Sequence, residues 1–84
     1  MVDVESGSNT MTSVDVMVGL WRQVLRTDDI TEEDDFFDLG GNSILAVRLL
    51  PLIKEHLGAE ATISLILDYP TPRELVNALG GVEQ

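Results

Sequence analysis

The chain has 84 residues, room for one small domain and not for two. Fifteen acidic residues against five basic ones give a net charge of -10, which repels the phosphates of nucleic acids and anionic lipid surfaces. There is no cysteine, and His56 is the single histidine, so disulfides, thiolate chemistry and a soft-ligand metal cluster are excluded. Hydrophobic residues make up 44% of the chain but only four are aromatic, which predicts an aliphatic, all-α core. No stretch has the apolar length of a membrane span, and Met1 to Glu5 lack the basic and apolar regions of a signal peptide. A cytoplasmic monomer is expected, with neither nucleic-acid nor membrane partners.

Residues 1–11 are polar, without periodicity, and read as a disordered tail. Val14, Met17, Val18, Trp21, Val24 and Leu25 then recur at three- and four-residue steps, which predicts an amphipathic helix capped by Thr12 or Ser13. Thr27 to Asn42 form a long first loop with seven acidic residues, Asp28, Asp29, Glu32, Glu33, Asp34, Asp35 and Asp38, and no basic one. A loop of that length needs its own anchors, and Ile30, Phe36, Phe37 and Leu39 can serve. Gly40-Gly41 turns the chain into a second helix, from near Ser43 to Leu57, which Gly58 ends. Ala46, Leu49, Leu50, Ile53 and Leu57 make its core stripe, while Ile44 and Val47 fall on the far side with Arg48 and Glu55. Pro51 lies inside this helix and predicts a kink. Ser64 can cap a short helical turn through Leu65, Ile66 and Leu67, ended by Tyr69-Pro70. Thr71-Pro72-Arg73-Glu74 reads as a capping box opening a last helix with Leu75, Val76 and Leu79 on its apolar face, closed by Gly80-Gly81. The expectation is a four-helix bundle over residues 12–80, three main helices and one short, with residues 81–84 as a C-terminal tail.

An enzyme reading fails on inventory, because His56 lies thirteen positions beyond Ser43 on another face of the same helix and no base accompanies a nucleophile. His56 suits the negative end of the helix dipole as a solvated side chain. The acidic loop shows no Asp-x-Asp-x-Asp-Gly register with a Glu at the twelfth position, so it reads as a solvated surface that can steer basic partners, not as a calcium loop. Ser43 taken alone reads as a helix cap.

Its surroundings change that reading. The string Asp34-Asp35-Phe36-Phe37-Asp38-Leu39-Gly40-Gly41-Asn42-Ser43-Ile44-Leu45-Ala46 resembles the attachment-site motif of peptidyl carrier proteins, the thiolation domains of nonribosomal peptide synthesis in the acyl carrier protein-like superfamily. The resemblance runs from Trp21-Arg22-Gln23-Val24-Leu25 to Tyr69-Pro70-Thr71-Pro72-Arg73-Glu74-Leu75. It implies a non-catalytic, phosphopantetheine-bearing protein of antibiotic-type biosynthesis. On this resemblance a phosphopantetheinyl transferase is expected to move the 4'-phosphopantetheine of coenzyme A onto Ser43, with Gly40, Gly41 and Asn42 matching the turn that presents it. The resemblance further implies an adenylation enzyme that charges the arm with an aminoacyl group as a thioester, and condensation or tailoring enzymes that receive it. Ile44, Val47, Arg48, Leu65 and Ile66 are the expected partner-recognition residues. Two departures stand out, since the family often has His or Asp where this chain has Asn42 and rarely a proline at Pro51. Two other readings stay open: an acyl carrier of a polyketide or fatty-acid pathway, and a small helical adaptor with no covalent cofactor.

Overall fold

The computed structural model describes residues 12–80, so the tails expected at 1–11 and 81–84 lie outside the described residues. Four helices and no strand occur among them: α1 (Ser13–Leu25), α2 (Ser43–Leu57), α3 (Ile63–Asp68) and α4 (Pro72–Ala78). Each helix packs against two others, in the cycle α1, α2, α3, α4 and back to α1.

Side-chain chemistry at the ends sets where each helix starts and stops. Thr12 caps α1 in a reciprocal box, its Oγ1 accepting from the Asp15 N–H at 3.1 Å while its own N–H donates to Asp15 Oδ2 at 3.2 Å. Asn42 caps α2, accepting from the Leu45 N–H at 3.0 Å, and Gly58 ends that helix at φ 67. Thr62, not Ser64, caps α3, its hydroxyl accepting from the Leu65 N–H at 3.2 Å. The helix thus begins before Ser64, because Thr62 is the residue in extended conformation, and Ser64 is left exposed inside the first turn. Thr71 accepts from the Glu74 N–H at 3.1 Å, which supplies one half of the expected capping box at α4.

The core joins Met17, Val18, Leu20 and Trp21 of α1 to Ala46, Leu49 and Ile53 of α2, Ile66 of α3, and Leu75 and Val76 of α4. Each large aliphatic or aromatic side chain fully withdrawn from water contributes roughly 1.5–3 kcal/mol, which for a domain of this size is the main stabilising contribution. The core line of α2 passes through Leu49, whereas Leu50 and Leu57, expected in it, are only half-buried. The α2 helix runs unbroken through Pro51, which is exposed on the same face as Ile44 and Val47, so its ring displaces no core side chain.

The long loop is held by its own apolar residues, as expected: Phe36 and Ile30 are buried, and Phe37 and Leu39 pack against the core from its edge. Its carboxylates are not all simply solvated. Asp34 accepts from the Thr31 N–H at 2.9 Å, and Asp35 accepts from the N–H groups of Phe37 and Asp38 at 2.8 and 3.1 Å. Glu33 and Glu32 both pair with Arg73 of α4, with the Arg73 Nε to Glu33 bond at 2.8 Å, and hold its guanidinium pKa above the ordinary value, Glu33's hydrogen bond first. Backbone bonds from Phe36 N–H to the Pro70 carbonyl, 2.7 Å, and from Arg73 N–H to the Glu32 carbonyl, 3.1 Å, fasten the same stretch to the α3–α4 connection.

Candidate functional site

The turn before α2 is built from the loop outward. The Gly41 N–H donates to the Phe36 carbonyl at 2.9 Å, and a Cβ on Gly41 would sit 2.4 Å from two ring carbons of Phe36 and 2.6 Å from its carbonyl oxygen. Only glycine lets the backbone lie flat against that ring. Phe36 in turn meets Trp21 edge-on, ring centroids 5.0 Å apart, so the turn rests on the centre of the core. Gly40, at φ 98, supplies the left-handed backbone that reverses the chain.

This support places Ser43 at the first position of α2, exposed to solvent. The capping role that its sequence position suggested belongs to Asn42, so the Ser43 hydroxyl is not engaged in closing the helix. Neither the Ser43 nor the Ile44 N–H donates a hydrogen bond among the described residues. Two unpaired amides and the positive end of the helix dipole therefore surround a reachable hydroxyl, an arrangement that favours a phosphodiester at that oxygen. No basic side chain is needed to hold such a group.

Of the expected recognition residues, Ile44 is 68% exposed and Val47 is 50% exposed, and Arg48 is exposed on the same face of α2. Leu65 is half-buried. Ile66 was expected beside them and is instead fully buried: adjacent side chains of a helix diverge by about 100°, and packing of α3 on the core turns Ile66 inward, with Leu65 only half-buried and Leu67 exposed. Leu67 and Tyr69, 58% and 42% exposed, are the outward apolar residues of this stretch. Tyr69 was missed because Tyr-Pro reads as a helix stop and says nothing of the side chain's direction. No three His, Asp or Glu side chains among the described residues cluster as a metal site. His56 is exposed in the last turn of α2, away from Ser43.

Residues 15–79 match the family described as phosphopantetheine attachment site. The chain belongs to this family. Its members carry a 4'-phosphopantetheine prosthetic group, and the exposed hydroxyl with unpaired amides beside it fits such a group. One of the proteins that make up the linear gramicidin synthase of Brevibacillus parabrevis is 35% identical over 69 residues, covering 82% of this chain and 1% of that protein. The bassianolide nonribosomal cyclodepsipeptide synthetase of Beauveria bassiana is 45% identical over 51 residues, 61% of this chain and 2% of that protein. The carrier domain thus spans a very small fraction of the length of these relatives. Among solved structures, BlmI, a type-II acyl-carrier-protein from Streptomyces verticillus involved in bleomycin biosynthesis, superposes with a TM-score of 0.71 at 28% identity, covering 77% of this chain and 78% of that one. The fold is that of the helical carrier proteins.

Proposed function

We propose that this chain is a non-catalytic carrier that holds an aminoacyl or peptidyl group as a thioester on a 4'-phosphopantetheine arm attached to Ser43, and delivers it to partner enzymes of nonribosomal peptide synthesis. The observation that carries the reading is Ser43 itself: exposed, at the first position of α2, with the cap supplied by its neighbour Asn42. When bound, the arm supplies the thiol that carries the acyl group. The chain's own residues supply position: Gly40 gives the left-handed turn, Gly41 lets the turn lie against Phe36, Asn42 fixes the helix start, and the unpaired N–H groups of Ser43 and Ile44 would meet a phosphate held at that hydroxyl. A tether replaces diffusion with a high local concentration of cargo at each partner, so no catalytic residue is required of the carrier.

The partners under this reading are a phosphopantetheinyl transferase, an adenylation enzyme and condensation or tailoring enzymes, met by a cytoplasmic monomer through Ile44, Val47 and Arg48 of α2, with Leu65 at the margin. The likeness to the gramicidin and bassianolide synthetases supports amino acid over fatty acyl cargo, and the acyl-carrier likeness of BlmI keeps the acyl reading as the second one. The test offers the arm-bearing protein amino acids with ATP and adenylation enzymes of differing preference, and malonyl or fatty acyl groups with acyltransferases. Amino acid gained as a hydroxylamine-labile mass is the expected result. Uptake of malonyl or fatty acyl groups alone would make it an acyl carrier, and failure to accept the arm at all would leave a helical adaptor.

A further inference from the structure

Five basic residues serve a chain with fifteen acidic ones, and their distribution is uneven. Lys54 pairs with Glu60, and Arg73 pairs with Glu32 and Glu33. Arg22, Arg26 and Arg48 form no ion pair among the described residues. Two of these three meet in one place. An open cleft of about 360 Å³ lies between the C-terminal end of α1 and the middle of α2, lined by Gln23, Val24, Arg26, Arg48 and Leu52.

Arg26 holds its position in this cleft against local preference. It caps α1 at φ 60, the only non-glycine residue with positive φ among the described residues, where glycine is the ordinary occupant. Its N–H bonds back to the Arg22 carbonyl at 2.8 Å, which fixes the turn, and its guanidinium forms no bond within the described chain. An arginine kept where glycine would relax the backbone points to use of its side chain.

We propose that this cleft takes one acidic side chain from a partner protein whose docking surface is otherwise basic. Arg26 and Arg48 offer fork-shaped donors that match a carboxylate, Gln23 adds a neutral polar group, and Val24 and Leu52 give aliphatic wall for the methylenes of a glutamate. The overall charge of -10 repels polyanions at long range, which disfavours nucleotides, nucleic acids and anionic lipid as occupants. Arg48 also lies next to Val47 on the exposed face of α2, so the cleft continues the surface through which partners are read. The inference rests on that reading of α2. Its consequence is orientation: acidity attracts a basic surface from many angles, and a single cationic notch fixes the angle at which the partner settles.

The test titrates the unmodified ¹⁵N-labelled protein at low salt with the blocked peptide Lys-Leu-Glu-Leu-Lys, its Lys-Leu-Gln-Leu-Lys counterpart, and inorganic phosphate. Amide shifts from the glutamate peptide are expected at residues 23–26, 48 and 52, with affinity roughly tenfold weaker for the glutamine peptide and for the Arg26→Gln/Arg48→Gln double variant. Arg26→Gly is a second variant that relaxes the left-handed cap, so its unfolding temperature should hold or rise while the peptide shifts fall. Absence of shifts, equal response to the two peptides, an unchanged double variant, or the same shifts from phosphate at equal concentration each overturn the proposal. Attachment at Ser43 plays no part in this titration, so a chain that accepts the arm yet fails here loses the cleft and keeps its carrier role.

Discussion

At the scale of single residues, the turn before Ser43 depends on a glycine for a reason that lies outside the turn. Gly40-Gly41 is legible in the sequence as a reversal, but the need for Gly41 arises from Phe36, whose ring occupies the space a Cβ would take. Local sequence does not contain that contact, since it follows from Phe36 docking on Trp21. Gly41→Ala is therefore expected to destabilise the fold by roughly 1–3 kcal/mol through overpacking, measured by urea denaturation and followed by Trp21 fluorescence. Ser43→Ala, at an exposed position relieved of capping, should stay within about 0.5 kcal/mol of the parent. Ile66 shows the opposite limit of legibility. Leu65, Ile66 and Leu67 are adjacent and all aliphatic, so which of them turns inward depends on how α3 packs on α2 and α4, which the local sequence does not contain.

At the scale of elements, α2 carries one face buried in the core and one exposed apolar face. Its limits, Ser43 and Leu57, are legible because Asn42 and Gly58 are strong signals for start and stop. Its core line was harder to read: Leu49 and Leu50 are about 100° apart, both within the apolar arc, and packing on α1 decides between them. Leu49→Ala should cost about 2–5 kcal/mol by opening a cavity, whereas Val47→Asp should change stability by no more than about 0.5 kcal/mol and slow loading by the partner enzyme. Comparable losses of stability from the two substitutions would mean that Val47 serves the core. Pro51 adds a second test of this face. It removes the helical donor to the Val47 carbonyl and sits exposed, so Pro51→Ala is expected to raise stability by roughly 1–3 kcal/mol, read from the denaturation midpoint.

At the scale of the whole molecule, the fold class was legible from composition and helical periodicity, while the division of labour among the acidic residues was not. Seven carboxylates in one loop look alike in sequence, yet Glu32 and Glu33 clamp Arg73, and Asp34 and Asp35 fold the loop on itself. Only the positions of Arg73 and of the loop amides distinguish these from Asp28, Asp29 and Asp38, which remain exposed. Arg73→Gln should leave the unfolding temperature nearly unchanged, as exposed pairs do, and speed hydrogen exchange at the amides that tie the loop to α4. The central claim, that the whole assembly serves to present one serine, is tested most directly by intact mass and peptide mapping after incubation with coenzyme A and a promiscuous phosphopantetheinyl transferase. The account predicts a gain of one phosphopantetheine mass confined to the peptide holding Ser43, and no gain in a folded Ser43→Ala variant. An unmodified parent chain, or a modified Ser43→Ala chain, would contradict it.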